Sequence, residues 1–447
     1  MKPENKEEKK HKPVLYKRVE IPQSLLNCDL SQNQQYGGDI RIGDLDGDGQ
    51  VDFVVFRSKE QGMKPCFIGA FSLQGNILWQ VGEGGEQPSR PGPVAIHDID
   101  GDGFAEVIHF FIDENKPQST YDSMDNVIIQ IRNGRTGAVK KEASPLEFTN
   151  ARMLPGEHPA NWVHHRIFIA NFRGTDTPRD FVVKLGSLVI AMDENLQVLW
   201  TYTMPWIKYG NCAAYIPSVG DIDGDGRDEV NGGYFLLDHD GNPLWENELG
   251  PNMDSVAITP WDAGNVRAVC SGGGCVMDEK GNAVLKLGKE IVPHGQEVRV
   301  ANFCNFIPAP QMLIRYKGHT TDAMLVSNDG EVVSTFNLNE SPNNTGMETV
   351  YWEGDEKPAL LYNGGKLWHG TGELFADLPE LPEPKGDEKM GWYHCIPANI
   401  CGDEREEIVL YNPWDKVIYI YTQDFRFESG YRGYKPEPRQ YNCRLMD

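Results

Sequence analysis

Three stretches of the 447-residue chain carry residues whose types and spacing point directly to metal chemistry. Residues 43–52 read GDLDGDGQVD, residues 97–106 read HDIDGDGFAE and residues 220–229 read GDIDGDGRDE. Counted from the first aspartate, carboxylates stand at positions one, three, five and nine. Glycines at four and six permit the sharp turn that makes those carboxylates converge, and the carbonyl at seven completes an oxygen shell. Hard oxygen donors favour calcium over zinc. The expected ligands are Asp44, Asp46, Asp48 and Asp52; Asp98, Asp100, Asp102 and Glu106; and Asp221, Asp223, Asp225 and Glu229. A strand pattern, not a helix, follows each loop. The expected role of the ion is to pin the loop, because without it three or four carboxylates repel one another.

A second set of residues suits proton transfer. His158, His164 and His165 lie in GEHPANWVHHRIF, Tyr209 in PWIKYGNCAAY, and His294 and Arg299 in VPHGQEVRV; Arg315 and His319 follow in LIRYKGHTTD, and Trp392, Tyr393 and His394 are contiguous. His, Tyr and Arg together suit β-elimination on a uronate sugar. A cation neutralises the carboxylate and acidifies the neighbouring C–H, one group takes that proton, and another protonates the leaving oxygen. A glycosidase would need two carboxylates flanking the scissile bond, and no convincing pair stands outside the metal loops. GxSxG, P-loop and HExxH motifs are absent.

The elements that must position these groups are short β-strands in a repeat. Each acidic loop lies between an alternating stretch (IRI, PVAI, YIPSV) and an apolar one (FVVF, VIHFF, VNGGYFLL), which reads as strand, loop, strand. A polar turn and an aliphatic-aromatic strand then follow: QGNILW ending at Trp79, ENLQVLW at Trp200 and DGNPLW at Trp245, with weaker copies NGRTGAV, EKGNAVL, NDGEVV and YNGGKLW. Asn-Gly and Asp-Gly favour hairpin turns with positive φ. Degenerate copies of the first element place anchors near residues 44, 98, 171, 221, 262, 302, 352 and 402. Spacing of about 45 residues matches a four-stranded propeller blade. The fold expected is all-β, an eight-bladed β-propeller spanning 13–447 after a charged tail at 1–12, with seven blades as the alternative. Closure is expected to bring HKPVLYKRVEI and QYNCRLM into one blade. Residues just before each innermost strand then gather at one mouth of the ring, so His164, Tyr209, His294 and His394 can converge.

Composition narrows the function further. The net charge of −24 argues against nucleic-acid binding, which wants a basic face. No run approaches the length of a membrane span, and MKPENKEEKKHKP has no apolar core to act as a signal peptide. Nine cysteines without a CxxC pair read as reduced, buried thiols. A cytoplasmic location is expected, and nothing in the sequence fixes an oligomeric state.

GDLDGDGxxD, LxGxxLW and the stretch YGNCAAYIPSVGDIDGDGRDEVNGGYFLLDHDGNPLW together resemble the rhamnogalacturonan lyases of the eight-bladed propeller type and their ulvan-lyase and rhamnose–glucuronate-cleaving relatives. The resemblance runs, with gaps, from about residue 38 to the C-terminus. It implies a lyase acting on an acidic, rhamnose-containing oligosaccharide or polysaccharide, with calcium bound. A glycoside hydrolase on the same scaffold and a non-catalytic glycan- or protein-binding propeller are the alternatives. Where such enzymes often read GHxN, this chain reads Tyr209-Gly-Asn-Cys212. By analogy with propeller lyases that use two His, a Tyr and an Arg, the catalytic set implied is His164 or His165, Tyr209, His294 and Arg299.

Overall fold

The computed structural model describes residues 11–26, 39–58, 65–83, 94–113, 115–117, 125–151, 166–209, 213–214, 216–308, 310–340, 346–385, 392–412, 414–424 and 433–436. Thirty-two strands form eight antiparallel four-stranded sheets. The innermost strands are Asp39–Gly43, Val94–His97, Arg166–Ala170, Ser218–Gly220, Val256–Asp262, Glu297–Ala301, Glu348–Val350 and His394–Ala398. They start blades 1 to 8. Seven of the eight sequence anchors fall in the loop between the first and second strand of a blade, and the eighth, at 262, is the last residue of the first strand of blade 5. The expected eight-bladed ring is what forms.

Burial explains why the strands read as they do. The second strand of blade 1, Asp52–Ser58, is clamped between two neighbouring blades, and Phe53, Val54, Val55 and Phe56 are all at most 2% exposed. Both faces are buried, so the strand reads as a continuous apolar run. Outermost strands such as Val198–Thr203 have one wet face and alternate. Each hydrophobic cluster sits between blades: one joins Ile40 and Phe53 of blade 1 to Val409 and Ile420 of blade 8, and another joins Val350 and Tyr362 of blade 7 to Cys395 and Leu410 of blade 8.

The ring closes through the N-terminal segment. Pro13–Glu20 pairs antiparallel with Val417–Gln423 as the outermost strand of blade 8. The expected C-terminal partner QYNCRLM lies outside the described residues. The chain is already held at His11 and Lys12, inside the expected tail: Trp352 Nε1 donates to His11 O at 2.8 Å and Asp424 N to Lys12 O at 2.9 Å. A second clasp spans the same seam, with Tyr434 N donating to Gly49 O at 2.7 Å and Lys435 N to Asn399 O at 3.0 Å.

The tryptophan-turn grammar is an inter-blade staple. Trp79 of blade 1 donates through Nε1 to Gly134 O in the turn of blade 2 at 2.5 Å, and Trp200 of blade 3 donates to His239 O in the turn of blade 4 at 2.8 Å. The turn glycine lies flat on the indole. A Cβ on Gly241, which has φ +80°, would sit 2.5 Å from Trp200 Cδ2. Gly241→Ala is therefore expected to cost about 1–3 kcal/mol through backbone strain and overpacking, measurable by denaturant unfolding. In blade 2 the same register holds Lys141, whose Nζ reaches Glu194 O at 2.7 Å and Asn195 Oδ1 at 2.7 Å in the next turn. One sequence copy is corrected: YNGGKLW is the turn between the second and third strands of blade 7, whose outermost strand is Leu374–Asp377.

Candidate functional site

Strand direction separates the two sets of candidate residues. The acidic loops join the end of an innermost strand to the second strand, so they lie on one face of the ring. The segments that enter innermost strands lie on the other. A five-residue strand at about 3.3 Å per residue holds the two about 16 Å apart. The acidic loops and the entry segments thus occupy opposite faces of the ring.

On the loop face, the folding is local and repeats. Asp44 accepts Gly47 N at 2.8 Å and Gly49 N at 3.1 Å; Asp221 accepts Gly224 N at 2.7 Å and Gly226 N at 3.0 Å. The ninth-position acid turns inward, with Asp52 accepting Leu45 N at 2.9 Å and Glu229 accepting Ile222 N at 3.0 Å. Ligand-type oxygens of Asp44, Asp46 and Asp48 lie within 4.8 Å of one another, as do those of Asp221, Asp223 and Asp225, and of Asp98, Asp100 and Glu106. Burial pushes the carboxyls of Asp52 and Glu106 up to about 7 and that of Glu229 up to about 8. Hard, converging oxygens whose charge is disfavoured by burial fit a divalent cation in the loops of blades 1 and 4. His239 adds a nitrogen near the last of these, 3.8 Å from Glu229 Oε1. In the degenerate loop of blade 3, Arg173 pairs with Asp180 at 2.6 Å instead.

On the opposite face, the sequence candidates separate. His158, His164 and His165 lie outside the described residues. Tyr209 ends a short helix, Trp206–Tyr209. Its hydroxyl donates to Glu246 Oε1 at 2.9 Å, beside Tyr202, which donates to Oε2 of the same carboxylate at 2.9 Å. Lys208 also pairs with Glu246. Tyr202 and Glu246 belong to outermost strands, so the Tyr209 hydroxyl faces the rim and the structure does not bring it to His294. His394 is 1% exposed at the head of its strand, sealed from the mouth.

Arg299 is likewise committed. Its Nη2 lies 2.7 Å from Glu297 Oε1 and 3.1 Å from Glu348 Oε1, tying the innermost strands of blades 6 and 7. Removing it leaves Glu297, whose side chain is 2% exposed, as a buried acid without its guanidinium. Arg299→Ala is expected to cost about 3 kcal/mol of stability, read as a lowered unfolding midpoint. A purely catalytic arginine would lower kcat and leave the midpoint in place.

His294 remains, half exposed and hydrogen-bonded to a buried carboxylate. It sits in the segment entering blade 6, where backbone bonds His294 N to Tyr316 O (3.1 Å) and Gly318 N to His294 O (2.7 Å) fix it. Its Nε2 lies 2.9 Å from Asp254 Oδ2, in the segment entering blade 5. Asp254 is 8% exposed, whereas the His294 side chain is 46% exposed. The hydrogen bond to Asp254 raises the imidazole pKa. With Nε2–H given to the carboxylate, Nδ1 carries the lone pair. Gly318, at φ +60°, keeps that side open: a Cβ there would come 3.1 Å from Nδ1. The His319 ring centroid is 6.0 Å from that of His294. His294 lines a cavity of about 230 Å³ with Gly250, Pro251, Asn252, Lys289 and Pro293. Asp254 and Lys289 carry no sequence signal: a lone acid or lysine in a loop is ordinary until a histidine from another blade meets it.

No family model matches the chain. It is 29% identical over 253 residues to the rhamnogalacturonan endolyase YesW of Bacillus subtilis, a match covering 47% of this chain and 40% of that protein. It is 24% identical to the rhamnogalacturonan exolyase YesX of the same organism, over 86% of this chain and 70% of that protein. The chain is thus similar in sequence to rhamnogalacturonan lyases, and it spans less than half the length of the first of them. Among solved structures, a rhamnogalacturonan lyase of Bacillus licheniformis superposes with a TM-score of 0.66 at 20% identity, covering 86% of this chain and 71% of that one. The biofilm matrix protein Bap1 of Vibrio cholerae superposes at 0.60 with 12% identity, covering 94% and 92%. The ring is therefore shared with proteins of quite different sequence, and the fold alone does not fix the chemistry.

Proposed function

We propose that this chain is a lyase that cleaves a uronate- and rhamnose-containing polysaccharide or oligosaccharide by β-elimination. The observation that carries the reading is the His294–Asp254 pair opening onto a cavity whose other charged wall residue is Lys289. The Lys289 ammonium pairs with the uronate carboxylate and acidifies the adjacent C–H. His294 Nδ1 takes that proton, the electron pair forms the ring double bond, and the glycosidic C–O bond breaks. His319 is assigned the return of a proton to the leaving oxygen. Among the described residues, the six that line the cavity include no carboxylate, so the pair of acids a hydrolase needs is not among them. Similarity to the two Bacillus subtilis rhamnogalacturonan lyases supports the same substrate class.

Calcium, when bound, would be held by Asp44, Asp46, Asp48 and Asp52 and by Asp221, Asp223, Asp225 and Glu229. There it supplies charge neutralisation on the face away from the mouth. The test of the reaction is incubation with rhamnogalacturonan and a panel of other acidic polysaccharides. Products carrying the ultraviolet absorbance of a conjugated uronate support elimination. Reducing ends without that absorbance refute it.

A further inference from the structure

The Asp98 loop has the full acidic motif of its two sister loops, yet its centre is already taken. Lys140 Nζ lies 2.5 Å from Asp100 Oδ2, 3.0 Å from Asp102 Oδ2 and 2.8 Å from Glu106 Oε1. An ammonium has three N–H donors, and here each meets a carboxylate. The Glu106 side chain is 0% exposed, so this contact reaches the innermost acid of the loop.

Register shows that the lysine is a substitution at a defined place. In blade 2 the last strand pairs Arg132 with Val139 and Ile131 with Lys141, and Lys140 is the bulged residue between them. The same one-residue bulge recurs in six other blades, where it holds Leu78, Leu199, Leu244, Val284, Val333 and Phe375. Six apolar residues and one lysine occupy one structural position, and the lysine falls in the blade whose acidic loop it reaches. In blades 1 and 4 this position holds Leu78 and Leu244, and no lysine among the described residues is paired with their acidic loops. Arginines perform a related task elsewhere, Arg173 against Asp180 in blade 3 and Arg405 against Asp403 in blade 8.

We infer that Lys140 is a built-in counter-ion that replaces calcium in the loop of residues 98–106, so that this loop takes no divalent ion while those of blades 1 and 4 do. A calcium ion at the same centre would have to expel a tethered cation from the oxygens it needs, against repulsion between like charges at contact distance. The inference rests on reading the sister loops as calcium cages.

The test is the calcium content of the full chain after chelator stripping and dialysis against calcium, measured by elemental mass spectrometry. Lys140→Met should bind one more calcium ion per chain than the unmodified protein, and Asp98→Asn added to it should remove that ion. Met is compatible with the fold because apolar residues fill the bulge in six blades. In the unmodified chain, Asp98→Asn should leave the content unchanged. No gain in Lys140→Met, or a loss in Asp98→Asn alone, overturns the inference. If Asp44→Asn and Asp221→Asn also leave the content unchanged, the calcium reading of all the loops fails, and the inference falls with it.

Discussion

His294→Ala should lower kcat on an acidic, rhamnose-containing substrate by about 10²- to 10⁴-fold, the usual contribution of a positioned general base. Its unfolding midpoint should fall modestly, through loss of the half-exposed ring's bond to Asp254, while the backbone bonds to Tyr316 and Gly318 remain, so the rate loss should far exceed the stability loss. Asp254→Asn separates base strength from mere positioning. Asp254 raises the His294 pKa, and a base works in its neutral form, so the acidic limb of the kcat/KM profile lies above the ordinary imidazole value. With asparagine at 254 the limb should shift to lower pH while the plateau rate falls. The stability contribution has the opposite pH sense: a pair that raises a histidine pKa stabilises fully below the unfolded value and is lost as pH rises through the folded one. An acidic limb that stays in place in Asp254→Asn, or full activity in His294→Ala, would remove this pair from the mechanism.

Chelation should lower the unfolding midpoint by about 5 °C. Each cation site saturated about a hundredfold over its Kd contributes about 2.7 kcal/mol to the folded state, and two sites contribute about 5 kcal/mol. For a chain of this length, 1 kcal/mol corresponds to about 1 °C when the unfolding entropy is scaled per residue. The shift should be reversed by calcium, and halved in Asp44→Asn or Asp221→Asn. The structural reason is the burial of Asp52 and Glu229 within loops whose converging side-chain oxygens are carboxylates. Identical melting with and without EDTA would show that these loops hold themselves together by their Asp-to-backbone hydrogen bonds alone. Catalysis should respond less than stability, since the loops lie at the far ends of the innermost strands.

Much of the architecture was legible because it is encoded locally. An Asp-rich loop needs only nine residues and two glycines to fold on itself, and the hydrogen bonds of Asp44 and Asp221 close within the loop. Eight such strand–loop–strand units, some degenerate, count the blades. The tryptophans ending the LW strands read as packing residues, and they are. The site was less legible. His294 was recognised by type, but Asp254, its partner, lies 40 residues away in another blade's entry segment. Tyr209 and Arg299 have the right chemistry in the right stretches, yet neighbouring blades claim them, Tyr209 through Glu246 and Arg299 through Glu348.

The sequence by itself determined the strand grammar and the positions of the acidic loops and pointed to eight blades over seven, because each is a short-range pattern of periodicity and turn chemistry. Only the tertiary structure decided which side chains face the mouth and which serve the seams, and that Lys140 stands among the carboxylates of one of three look-alike loops. The physical reason is that charge pairing acts through space at about 3 Å. Ring closure brings together residues from different blades, and their sequence separation carries no trace of that meeting.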